Sequence, residues 1–140
     1  MLTPAVIDNA CRKGLSEVMI EAGWTVVPSI PLLIQTQADL EIVNIIQRGK
    51  PLPPDVAVRM AKERGANLGH NQAKYLLEHQ KEIPKGAKSF LVFPGNIWQD
   101  PSGDHRVPCL SRSGKAWGFF LYFMGTAYWS HDFQFLRPRT

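Results

Sequence analysis

Before Pro84 the apolar positions recur at helical spacing; after Lys88 they recur at every second position. Val6, Ile7, Ala10, Cys11, Leu15, Val18, Met19 and Ala22 make one stripe, with Asp8, Arg12, Lys13, Glu17 and Glu21 mostly off it. This predicts a helix over residues 4–22, capped by Thr3, opened by Pro4 and stopped by Gly23. Trp24-Thr25-Val26-Val27 reads as an extended connector or an edge strand, bounded by Pro28 and Pro31. A second helix is predicted from Thr36, with Asp39 in a capping-box-like place, Leu40, Val43 and Ile46 along one side, and Gly49 at its end. After the stiff Lys50-Pro51-Leu52-Pro53-Pro54 linker, a third helix covers residues 55–64 and stops at Gly65. A fourth, capped by Asn67, runs to about Gln80.

The period of two predicts strands at Ser89 to Phe93 with an extension over residues 96–99, at Arg106 to Ser111, at Lys115 to Phe123 and at Ala127 to Leu136. Pro94-Gly95 bends the first strand, and Pro108 suggests an edge position for the second. Asp100-Pro101-Ser102-Gly103, Ser113-Gly114 and Gly125-Thr126 are the turns. The expected fold is therefore α+β. It is one domain over residues 1–140, with a helical half (1–83) packed on a four-stranded antiparallel meander (84–140).

Phe119 to Phe123 is apolar on both faces, Phe119, Leu121 and Phe123 on one and Phe120 and Tyr122 on the other. A half-exposed strand alternates apolar with polar, so this strand is expected to be covered on both sides, by helices or by a partner. In the last strand Trp129, His131, Phe133 and Phe135 share a face, with Ser130, Asp132 and Gln134 on the other. That alternation sends His131 toward the core and away from Asp132.

Charge and aromatic content sharpen the boundary at Pro84. The net charge is +4. Residues 1–83 carry nine Lys/Arg and nine Asp/Glu; residues 84–140 carry seven Lys/Arg against three Asp, and twelve of the fourteen aromatics. A basic, aromatic sheet has the ingredients for stacking bases and tracking phosphates, but it lacks an RNP-type motif, and core packing explains the aromatics more simply.

Catalytic chemistry has little support. Cys109 with His105 or His131 is the one Cys/His option in the sheet half, and Cys109 reads as packing. His70 and His79 are nine residues apart, and no CxxC, HExxH or phosphate loop occurs, so neither a metal nor a cofactor is expected. Cys11 and Cys109 are read as reduced thiols. With no secretory signal and no run of about 18 apolar residues, the expected address is the cytoplasm, with no membrane partner.

Ala66-Asn67-Leu68-Gly69, Ala73, Tyr75 to Gln80 and Ile83-Pro84 precede Leu91 to Gly95, Trp98-Gln99-Asp100, Gly103, Val107 to Leu110 and Trp117. This pattern resembles small uncharacterised bacterial proteins of unknown function. The likeness covers the second half of the chain, implies a bacterial, intracellular accessory protein, and carries over no functional residues.

The leading expectation is a binding or interaction module using the aromatic sheet face or its basic rim, with Arg106, Arg112, Trp117, Trp129, His131, Arg137 and Arg139 as candidate binding residues. Its partner would be a second copy or another protein, with nucleic acid less favoured. The alternative is a small-molecule-binding domain or small enzyme with a pocket near Trp129 and His131.

Overall fold

The computed structural model describes residues 19–26, 39–125 and 127–139. The predicted first helix, with Cys11, lies outside them except for its end. Residues 19–21 are helical, and Gly23 (φ 90°) follows. Trp24 N–H donates to Met19 C=O (2.9 Å) and Gly23 N–H to Ile20 C=O (3.0 Å). This is a Schellman ending, as the stop at Gly23 requires.

The elements in order are β1 (Thr25–Val26), β2 (Leu40–Val43), α1 (Pro54–Glu63), α2 (His70–Glu78), a single 3-10 turn (Gln80–Glu82), β3 (Phe90–Val92), β4 (Trp98–Gln99), β5 (His105–Ser113), β6 (Ala116–Phe123) and β7 (Phe133–Pro138). The chain is α+β with a mostly antiparallel sheet. α1 ends as predicted: Ala66 N–H returns to Ala61 C=O at 2.9 Å across Gly65 (φ 80°).

Two expectations fail. The second helix, in its described part, is strand β2 instead, antiparallel to β7 with Glu41 opposite Arg137 and Val43 opposite Phe135. Leu40, Val43 and Ile46 fit helical spacing, but Ile42, Val43, Ile45 and Ile46 are β-branched and suit a pleated surface better. The second failure is the simple meander. β3 pairs antiparallel with β5, and β5 with β6, as expected. β7 then leaves β6, crosses the sheet and pairs parallel to β3 and antiparallel to β2. Phe133 through Leu136 are all buried, so β7 is a central strand covered on both faces.

β4 continues the β3 line, pairs with the start of β5 and carries β1 on its other side. Pro108 therefore lies in a strand flanked on both sides, not at an edge. Its carbonyl accepts from Phe93 N–H (2.9 Å), so its nitrogen, which has no proton to donate, faces Phe93 just past the end of β3.

Alternate strand residues enter opposite clusters. Val92, Val107, Cys109 and Phe135 pack with Ala57, Val58 and Ala61 of α1. Leu91, Phe93, Leu110 and Leu136 pack with Ala73 and Leu76 of α2. The helices thus cover opposite faces. The linker is pinned too, since Leu52 and Trp129 exchange backbone hydrogen bonds at 3.1 and 2.8 Å.

Candidate functional site

β6 borders the sheet and is still covered on both faces. Phe120 and Tyr122 pack on the α1-side cluster; Trp117 and Phe119 pack on the α2 side; Leu121 is buried with Met19, Trp24 and Trp98. Among the described residues, no strand pairs with the outer backbone edge of β6. Trp117 N–H donates to Gln80 Oε1 (3.0 Å), and Gln80 Nε2 donates back to Trp117 C=O (3.2 Å). The backbone groups of Trp117 therefore point away from β5, and those of Phe119, Leu121 and Phe123 do the same. Arg106 Nη1 reaches Leu121 C=O at 3.3 Å. Between these two caps, no hydrogen bond from any described residue reaches Phe119 N–H, Phe119 C=O or Leu121 N–H.

An arginine–aromatic pair marks each end of this edge. Arg112 lies 6.0 Å from the Trp117 ring centre, and Arg106 lies 5.5 Å from that of Phe123. Arg112 also donates from Nε to Gly114 C=O (3.0 Å) and from Nη1 to Ala87 C=O (3.4 Å). Arg106 Nε bonds Asp100 Oδ2 at 3.0 Å, and Asp100 Oδ1 accepts the N–H groups of Ser102 and Asp104. The Arg106 bond, supported by those backbone donors, holds the Asp100 carboxyl below its ordinary pKa against the opposing push of burial. Phe123 (46% exposed) and Tyr128 (62%) leave apolar surface beside this end.

The other candidate residues lie elsewhere. Trp129 is buried and stacked on Phe133, 5.1 Å away and nearly parallel. The Trp129 side of the expected pocket near Trp129 and His131 is taken up by packing against Tyr122 and Phe133. His131 is in a turn ahead of β7, and its Nε2 is 3.6 Å from Asp132 Oδ1. The expected core-facing orientation of His131 is thus corrected, because strand alternation begins only at Phe133. Arg137 Nε pairs with Glu41 Oε1 (2.7 Å) and its Nη1 bonds Arg64 C=O at the end of α1 (2.8 Å). Arg139 is exposed, with its backbone N–H on Asp39 C=O (2.7 Å).

Two features escaped sequence reasoning. The first is a buried polar node where residues 66–70 meet residues 94–98. Gly69, not Asn67, precedes α2; its N–H bonds Gln72 Oε1 (2.8 Å), and His70 N–H bonds Asn96 Oδ1 (2.8 Å). Trp98 Nε1 donates to His70 Nδ1 at 3.1 Å, which places the imidazole proton on Nε2. His70 Nε2 and Asn67 Oδ1 are buried without hydrogen-bond partners. Burial, helped by the nearby Lys74 charge, lowers the His70 pKa from 6.5 to about 4.

The second is a cavity of about 320 Å³ between α2 and the ends of β2 and β7. Leu68 and Leu76 form its buried floor, while Asp39, Glu82, Lys85 and Arg139 stand exposed at its mouth. Tyr75 on its wall donates to Glu82 Oε2 (2.5 Å), and that bond, with some burial, raises the phenol pKa.

Cys109 is fully buried, and desolvation pushes its thiol pKa far up, which disfavours the nucleophilic thiolate. Among the described residues, no three His, Cys, Asp or Glu side chains gather as metal ligands, and no helix is long and apolar enough to cross a membrane. Comparisons with protein-family models, curated proteins and solved structures found no match.

Proposed function

We propose that the protein is a small interaction module whose docking element is the outer edge of β6, and that the partner it takes there is a second copy of itself. The stretch between Gln80 and Arg106, unpaired among the described residues, carries this reading. An exposed apolar edge strand is a template for strand addition, which proteins usually blunt with charge, proline or a bulge. β6 reads Ala-Trp-Gly-Phe-Phe-Leu-Tyr-Phe, with none of these, and among the described residues only its ends are capped.

Self-pairing suits the free groups. A two-fold axis at Phe120 sets Phe119 opposite Leu121 of the second copy, so the free N–H and C=O of Phe119 meet the outward backbone groups of Leu121. It also sets Trp117 opposite Phe123, and Gly118 gives room opposite Tyr122. Because β6 carries no charge, like strands do not repel. Stacking of bases on a sheet face has less support, because the rings of Phe133, Phe135 and Trp129 are buried in the core.

Sedimentation equilibrium of the full chain tests the proposal. A dimer is expected, and Phe123→Lys, at an exposed position, is expected to be monomeric with an unchanged circular dichroism spectrum. Amide exchange at Phe119 and Leu121 should slow as protein concentration rises. A wild-type chain that stays monomeric at the concentrations used for NMR overturns the reading, as does an unaffected Phe123→Lys dimer.

A further inference from the structure

We infer that the cavity between α2 and the ends of β2 and β7 is a binding site for a small zwitterion, an α-amino acid with an apolar side chain. The charges at its mouth come as two mixed pairs from separate parts of the chain. Asp39 and Arg139 come from the β2–β7 end, and Glu82 and Lys85 from the segment after α2. No ion pair joins any two of these four side chains. Cations and carboxylates that share a mouth and do not neutralise one another remain available to a ligand.

Their balance selects its charge. Among the described residues, two positive and two negative groups give the mouth no net charge, so a pure anion meets as much repulsion as attraction, and so does a pure cation. A molecule bearing one charge of each sign gains from both. Its carboxylate would sit against Lys85 or Arg139, and its ammonium against Asp39 or Glu82. Below the mouth, Leu68 and Leu76 offer an apolar floor that matches a side chain rather than a second charge. A volume of about 320 Å³ is at the small end of the range of about 300–1,000 Å³ for ligand cavities, which suits a single amino acid and excludes a dinucleotide. Tyr75 is tied to Glu82 and fixes that carboxylate at the wall.

The site does not overlap β6, and its test does not depend on self-association. The full chain is titrated with L-leucine, L-phenylalanine and L-glutamate, following amide NMR shifts around Tyr75 and Leu76. Isoamylamine and 4-methylpentanoate, which are leucine without its carboxylate and without its amine, are titrated in parallel. Saturable shifts with L-leucine or L-phenylalanine are expected, and each single-charge analogue is expected to bind at least about tenfold more weakly. Arg139→Glu and Lys85→Glu, both at exposed positions, should together abolish the shifts and leave the rest of the spectrum unchanged. The inference is overturned if no amino acid produces saturable shifts, if either analogue binds as well as L-leucine, or if the doubly reversed variant still binds.

Discussion

Trp98 donates its indole N–H to Nδ1 of His70 across 28 residues of sequence, 3.1 Å away, deep between α2 and β4. The bond fixes the neutral tautomer of a histidine that also meets Trp98 and Phe119 edge-on, at 5.4 and 5.3 Å between ring centres. A charged imidazolium there would lose the Trp98 bond and its hydration together.

Stability is therefore expected to depend on pH through this residue. The folded pKa of about 4 lies below the ordinary 6.5. The unfolded chain binds the proton more tightly, so acid favours unfolding. The native state keeps its full advantage above pH 6.5 and loses up to about 3 kcal/mol as pH falls toward 4. Urea denaturation between pH 7 and pH 4.5 should show this slope, and His70→Leu should flatten it. Trp98→Phe strands Nδ1 and should cost about 1–3 kcal/mol before any packing loss. Combining it with His70→Leu should cost less than the two singles added.

Gly95 should tolerate no side chain. A Cβ there would lie 2.4 Å from Asn67 O and 2.8 Å from the Leu68 carbonyl carbon, both backbone atoms that cannot rotate away. Gly95→Ala is expected to destabilise by about 3 kcal/mol or more, at the severe end of overpacking. Gly49→Ala meets open space at φ +79° and should cost only about 1 kcal/mol, for the left-handed backbone. Chemical denaturation of the two variants side by side checks the contrast.

Cys109 should be silent toward thiol reagents while the chain is folded. In a Cys11→Ser background, labelling by 5,5′-dithiobis(2-nitrobenzoate) at pH 8 is expected to follow global unfolding rather than a fast local phase. Fast stoichiometric labelling of native protein would contradict the burial of this thiol.

Arg137 should matter for stability. It joins β2 to β7 through Glu41 and holds the carbonyl of Arg64, the residue after α1, and its side chain is 41% exposed. Arg137→Ala is expected to cost about 1 kcal/mol, a value reduced by solvent screening of the ion pair. Arg137→Lys should recover only part of this, since one ammonium lacks the forked geometry to serve both partners. Thermal unfolding at low and high salt separates the two contributions.

The sequence makes plain what depends on neighbours in the chain. Gly23 and Gly65 close their helices, Pro54 opens α1, and Asp100 to Gly103 turns β4 into β5 because each acts within a few residues. Legibility ends where partners are distant. Residues 40–43 satisfy helix and strand periods alike, and only pairing with β7 decides between them. The alternation of Phe133 and Phe135 declares a strand but not its neighbours, so its place beside β3 is invisible. The cavity draws on residues near 39, 68–85 and 139, and no local pattern unites them. The His70 node left a faint trace. Asn67-Leu68-Gly69 and Gly95-Asn96 each set a glycine near an asparagine, the composition of two backbones in close approach.

Among the described elements β7 follows all the others in sequence, yet it lies between β3 and β2. During synthesis, β2 and β3 have no common neighbour until residues 133–138 leave the ribosome. The pairing that joins β2 to the rest of the sheet is therefore non-local and closes late, the kind of contact that slows folding.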